Sequence, residues 1–171
     1  DDLTNFLVRA KAVAGDERAF SLGWVHQHHN GSPLECVAVR RDGGMIATGA
    51  RDGSIVVVDP ETGELIARLT PHLDCITGLQ FSADCSILTS SSRDSTLRIW
   101  SVDALSSGTA LHTIRVPNSS EIMACAVDAN SRLIALGCAC GTTYLYSVAS
   151  SRCLHTLVVT NVAVRSVEFC S

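Results

Sequence analysis

The run Ser90-Ser91-Ser92-Arg93-Asp94-Ser95-Thr96-Leu97-Arg98-Ile99-Trp100 decides the architecture of this chain. Asp94-Ser95 breaks it between two stretches with the residue types of strands. Asp at such a break bonds its own local backbone, and small polar neighbours tolerate positive φ, so the pair closes a tight turn between antiparallel strands. The motif recurs. Thr48-Gly49-Ala50-Arg51-Asp52-Gly53 lies 42 residues before Ser90-Ser91-Ser92-Arg93-Asp94-Ser95, and Leu136-Gly137-Cys138-Ala139-Cys140-Gly141 lies 46 after it.

Two further anchors keep the same spacing. Val39, Phe81, Val127 and Phe169 step by 42, 46 and 42, and Val58-Asp59, Trp100-Ser101 and Tyr146-Ser147 step by 42 and 46. Three independent anchors on one period define a repeat architecture. Within each unit, short apolar runs rich in Val, Ile, Leu and Thr alternate with turn residues, and helical periodicity is absent. This predicts four strands per unit, about 34–40, 45–50, 55–59 and 64–69 in the first. In the second they are about 75–81, 86–91, 96–101 and 109–115, and in the third about 122–127, 132–138, 142–147 and 152–159. The long step is accounted for before Asn118, by a longer connection from Val102 to Thr109 and a loose return from Val116 to Ser120.

These residues resemble the WD40 repeat family of β-propellers. The second unit carries the resemblance best. Pro71-His72 stands where the family has Gly-His, Phe81-Ser82-Ala83-Asp84 where it has a Phe-Ser-Pro-Asp turn, and Thr96 to Trp100 where it has the third strand. The expected fold is all-β: four-stranded antiparallel blades, three of them full and others partial, as an excerpt of a roughly seven-bladed propeller. The expected organisation is 1–31 as outer strands of a preceding blade with a connecting loop, blades at 34–70, 71–116 and 117–160, and 161–171 as the first strand of a further blade. A blade has two apolar faces and cannot bury them alone, which is why such units stack.

The resemblance implies a structural hydrogen-bond chain through His72, Ser90, Asp94 and Trp100, with Thr48, Asp52 and either His28 or His29 in the first unit. Cys140 replaces the turn Asp in the third unit, which is expected to lack that chain and to be looser. No unit has Trp-Asp outright, and Pro71 replaces the usual Gly. Arg51 and Arg93 each precede a turn Asp, and in the family those positions lie on the partner-binding top face. Arg forms bidentate pairs with carboxylates and is enriched at binding hot spots, so both are candidate partner-binding residues. The alternative is that each pairs with a neighbouring acid at the rim.

Composition narrows the function classes. The 171 residues are 46% hydrophobic and 18% charged, with a net charge of −4. That allows a real core and excludes a disordered tail. The mild acidity argues against direct nucleic-acid binding, although membership of a ribonucleoprotein complex stays open. No apolar run is long enough to span a membrane. No signal peptide or initiator Met is present, so the sequence reads as a piece of something longer. The eight cysteines include no CxxC pair. Cys36, Cys75, Cys125 and Cys153 lie in or beside apolar runs and read as small buried hydrophobes, with free thiols expected in a reducing, intracellular compartment, cytoplasmic or nuclear.

Three constellations invite chemistry. His26, His28 and His29 bring too few ligand types together for zinc, and Cys138/Cys140 lack matching ligands elsewhere. His72, Asp94 and Ser90 hint at a triad, but no nucleophile elbow or oxyanion loop accompanies them. The expectation is no catalytic residue, no metal and no cofactor. The reading is a non-catalytic protein-interaction scaffold in a multi-subunit intracellular complex, docking acidic or extended segments of other proteins. One alternative is a structural subunit of a large RNA-processing, trafficking or ciliary assembly that binds through blade sides. Another is the accessory propeller of an enzyme whose catalytic domain lies elsewhere.

Overall fold

The computed structural model of this chain describes residues 7–8, 20–21, 29, 31–69, 72–158 and 161–170. Its first sheet is a pair, β1 (Leu7–Val8) with β2 (Phe20–Ser21), antiparallel. The rest of the expected 1–31 unit, including His26 and His28, lies outside the described residues, as does Pro71.

Three four-stranded antiparallel sheets follow in chain order. The first holds β3 (Leu34–Val39), β4 (Ile46–Ala50), β5 (Ile55–Val58) and β6 (Leu65–Leu69). The second holds β7 (Ile76–Phe81), β8 (Ile87–Ser92), β9 (Thr96–Ser101) and β10 (His112–Arg115). The third holds β11 (Ile122–Val127), β12 (Leu133–Cys138), β13 (Thr142–Ser147) and β14 (Cys153–Val158). Every sheet is a meander. Its first strand meets the first strand of the next sheet, β3 against β7 and β7 against β11. The sheets are therefore blades stacked about an axis lined by their first strands.

Burial follows the stacking. Ala47, Ile55, Val57 and Leu69 of the first blade share one core with Ile76, Leu88 and Trp100 of the second. Leu97, Ile99 and Ile114, on the opposite face of the second blade, share another with Ile122, Ile134, Leu136 and Tyr146 of the third. Alternate residues of β9 thus serve two cores, as a period-2 strand requires. Each fully buried Leu or Ile contributes about 1.5–3 kcal/mol by leaving water. No blade could collect that alone.

The long step of the repeat is structured. Val102–Ser107 forms a 3-10 segment closed by Gly108 at φ 65°. Its Val102 and Leu105 are buried in the core between the first and second blades. Residues 164–169, where the sequence predicts a first strand of a further blade, carry no sheet ladder. They lie against β12, with the Val164 N–H donating to Cys138 O at 3.0 Å. A strand is defined by its pairing, and extended shape alone does not supply it.

Candidate protein-docking face

The end of each blade that carries the turn between its second and third strands is built on a left-handed residue. Gly53 (φ 82°), Ser95 (φ 69°) and Gly141 (φ 82°) occupy the same register. The residue two places earlier is held in each blade by an amide bond to the loop entering that blade: Arg51 N–H to Pro33 O, Arg93 N–H to Cys75 O, and Ala139 N–H to Glu121 O.

In the second blade a buried chain of polar groups runs inward from the turn. Asp94 Oδ2 lies 2.9 Å from His72 Nδ1, and His72 Nε2 lies 2.8 Å from Ser90 Oγ. The carboxylate can only accept, so Nδ1 carries the proton and Ser90 donates to Nε2. Trp100 Nε1–H then donates to Ser90 Oγ at 3.0 Å. Thr96, which the sequence reading missed, donates its N–H (2.8 Å) and its hydroxyl (2.6 Å) to Asp94 Oδ1. The Leu73 N–H donates to Oδ2 at 3.0 Å. Burial pushes the Asp94 carboxyl up. The bonds from His72, Thr96 and the Leu73 amide outweigh it and hold the group well below the usual carboxylate range.

The first blade uses His29. Its Nδ1 lies 2.6 Å from Ser54 Oγ and its Nε2 2.9 Å from Thr48 Oγ1. Ser54 donates its N–H and its hydroxyl to Asp52 Oδ1, at 3.0 and 2.6 Å, and so relays between the histidine and the turn. Val58 stands where the second blade has Trp100 and offers no indole N–H at that position. The relay had a sequence signal: Ser54, Thr96 and Thr142 recur at 42 and 46, two places past each turn residue.

The third blade fills the same space with apolar groups. Leu136 stands where the second blade has Ser90, Tyr146 where it has Trp100 and Cys140 where it has Asp94. Leu136 and Cys138 are wholly buried, and Tyr144 and Tyr146 nearly so. These side chains belong to the core shared with the second blade. Cys140 accepts hydrogen bonds from Ser120 and Thr142, which lower its thiol pKa. Burial pushes Cys138 up to about 12. All eight cysteines are free. Among the described residues, no three His, Cys, Asp or Glu side chains come together to hold a metal ion.

Arg51 and Arg93 project from this end of adjacent blades, their side chains 67% and 45% exposed. Each meets an acid: Arg51 Nε lies 3.2 Å from Glu35 Oε1, and Arg93 Nε 3.9 Å from Glu121 Oε2. Exposed pairs of this kind contribute about 0–1 kcal/mol. They hold the guanidinium groups without committing them.

The "WD domain, G-beta repeat" family matches residues 21–59 and 63–101. The repeat match and the WD-repeat relatives support a WD40 β-propeller assignment for this chain. It is 28% identical over 110 residues to Pre-mRNA-processing factor 19 homolog 2 of Arabidopsis thaliana, covering 64% of this chain and 21% of that protein. It is 34% identical over 91 residues to human WD repeat and SOCS box-containing protein 1, covering 53% of this chain and 21% of that one. A match to zebrafish (Danio rerio) Apoptotic protease-activating factor 1 is 33% identical over 69 residues, 40% of this chain and 6% of the relative. The chain thus spans about a fifth or less of these relatives. Among solved structures, a chain of the crystal structure of a mitotic checkpoint complex superimposes with a TM-score of 0.73 at 21% identity, over 81% of this chain and 41% of that one. That likeness shows the fold. WD40 propellers are generally protein-interaction scaffolds and generally non-catalytic. Among the described residues, no helix is long and apolar enough to cross a membrane.

Proposed function

We propose that this WD40 segment is a non-catalytic docking platform within an intracellular multi-protein complex, cytoplasmic or nuclear, and that Arg51 and Arg93 anchor an extended, acidic segment of the partner. One observation carries the reading. Two half-exposed guanidinium groups stand at equivalent positions of adjacent blades, on backbone fixed by equivalent amide bonds, and among the described residues each is held by a weak solvent-exposed pair. A partner carboxylate exchanges with Glu35 or Glu121 at little cost and gains a planar, charge-assisted contact. Rigid blades lower the ordering cost of binding. Burial supports the non-catalytic reading: Ser90 is wholly removed from water beneath the Trp100 indole, where no substrate reaches its hydroxyl.

The test is the double charge reversal Arg51→Glu/Arg93→Glu in the intact protein. Weakened partner capture with an unchanged melting temperature supports the reading. Undiminished capture by the folded double variant overturns it.

A second reading is a structural subunit of an RNA-processing assembly that binds through blade sides. It is favoured by the relative whose name is Pre-mRNA-processing factor 19 homolog 2 and by the apolar residues Leu154, Leu157 and Val158 exposed on β14. In that case charge changes on β14 weaken association while the arginine reversals do not.

A further inference from the structure

We propose that Leu73 is the apolar anchor of the docking face, and that the segment it receives carries an apolar side chain flanked by carboxylates. This rests on the docking reading above and specifies the partner's chemistry.

Leu73 is 89% exposed, the highest value among the exposed large hydrophobic side chains of the described residues. Single exposed leucines are ordinary on protein surfaces. Leu73 differs in how its backbone is held. Its own N–H donates to buried Asp94 Oδ2 at 3.0 Å. On one side, His72 is buried and bonded to Asp94 and Ser90. On the other, the Asp74 carbonyl accepts from Ser92 Oγ at 2.9 Å. The turn of the first blade clamps the same loop: a Cβ on Gly53 would stand 2.5 Å from His72 O and 3.1 Å from Asp74 O. A buried polar chain therefore ends in a fixed loop whose tip is an apolar side chain in water.

Its surroundings supply the charge. The Arg51-Asp52-Gly53 turn meets this loop at His72 O and Asp74 O, and Asp94, next to Arg93, accepts from the Leu73 amide, so the loop lies against the turns that carry both arginines. A preordered apolar knob needs little ordering on binding, and rigid anchors of this kind dominate interface energetics. A segment that covers Leu73 with an apolar side chain places its neighbouring residues over Arg51 and Arg93. Carboxylates satisfy those positions by replacing Glu35 and Glu121.

The test uses the intact protein and fluorescein-labelled nonapeptides with Asp flanks and a central Leu, Phe or Ser, together with a Lys-flanked, Leu-centred control. Binding is read by fluorescence anisotropy. The Leu- and Phe-centred acidic peptides are expected to bind about tenfold or more tighter than the Ser-centred one, the ratio that burial of one large apolar side chain supplies. Leu73→Ser is expected to abolish that preference while leaving the melting temperature and the weak binding of the Ser-centred peptide unchanged. Arg93→Glu is expected to weaken all acidic peptides alike. Equal binding of Leu- and Ser-centred peptides, or a preference that survives Leu73→Ser, overturns the anchor and leaves the arginine reading standing. A preference for the Lys-flanked peptide overturns the arginine reading and the proposed segment together. Failure of every peptide to bind overturns both.

Discussion

His72 and Asp94 are 22 residues apart in sequence, yet Nδ1 of one stands 2.9 Å from Oδ2 of the other with both side chains almost wholly removed from water. The pair ties the loop entering the second blade to the turn between its middle strands. Through Ser90 it continues to the indole of Trp100 in the core between blades.

Replacing Asp94 by Ala leaves the His72 ring N–H, the Leu73 amide and the Thr96 hydroxyl without their acceptor. Stranded buried groups cost about 1–3 kcal/mol each, and relaxation recovers part of that. Asp94→Ala is therefore expected to cost about 2–4 kcal/mol in urea denaturation. Asp52→Ala, at an exposed turn where the donors to its carboxylate are the amide and hydroxyl of Ser54, is expected to cost about 1 kcal/mol. In a double-mutant cycle, His72→Ala and Asp94→Ala should be less than additive, because each removes the same chain.

Acid should unfold the protein through its aspartates. Hydrogen bonds from Ser82, Ser86 and Ser131 lower Asp84 to about 2, and Asp94 is held well below its ordinary 3.8. A carboxyl whose folded pKa is depressed contributes stability above its unfolded pKa and loses it as pH falls through the folded value. The urea midpoint is expected to be flat from pH 7 to about 5, to decline below about pH 4, and to go on declining through about pH 2. Asp94→Asn should flatten the decline. A midpoint that rises on acidification would contradict these assignments.

The blades approach closely where the second strand has no side chain. A Cβ on Gly49 would lie 2.5 Å from Ile76 Cγ2 and 2.8 Å from Cys36 Sγ, and one on Gly137 would lie 2.6 Å from Val164 Cγ1. Gly78 has more room, with Ser91 Oγ at 3.0 Å and Cys125 Sγ at 3.2 Å. Overpacking costs about 1–3 kcal/mol. Thermal melts should therefore rank Gly49→Ala as more destabilising than Gly78→Ala.

The thiols should separate by reactivity. Burial pushes Cys36 up to about 12, and Cys138 likewise, whereas Cys140 is exposed and its pKa is lowered by bonds from Ser120 and Thr142. Thiolate is the reactive form. Limited iodoacetamide treatment at about pH 7.5, read by peptide mass spectrometry, should label Cys140 first and leave Cys36 and Cys138 unmodified until the protein unfolds. Early labelling of Cys36 would contradict its burial.

Much of the architecture is legible before any coordinates. The steps of 42 and 46 locate the blades because each blade repeats one supersecondary unit, and a unit that must pack on copies of itself keeps its turn and core residues in register. The same period places Asp52, Asp94 and Cys140 at one structural position. It also aligns Ser54, Thr96 and Thr142, but a hydroxyl residue at the start of a strand is common for other reasons, and its bond to the turn residue shows only in the fold. His29 is different. His72 minus 42 falls on Asn30, so the spacing points one residue away from the histidine that bonds Thr48 and Ser54. Loops vary by a residue without disturbing the strands they join, and only the folded chain settles which side chain reaches inward.

Sequence alone determined the repeat, the strand content, the turn positions and the residue types able to form a buried polar chain, because these follow from local periodicity and turn chemistry. Tertiary structure decided which groups meet. It decided that His29 serves the first blade, that Arg51 and Arg93 are each loosely held by an acid, and that the connection after β9 folds into the core beneath the neighbouring blade. It also left Leu73 fixed in water at the end of the Asp94 network. Each of these is a distance between residues far apart in the chain, and such distances exist only after the blades have stacked.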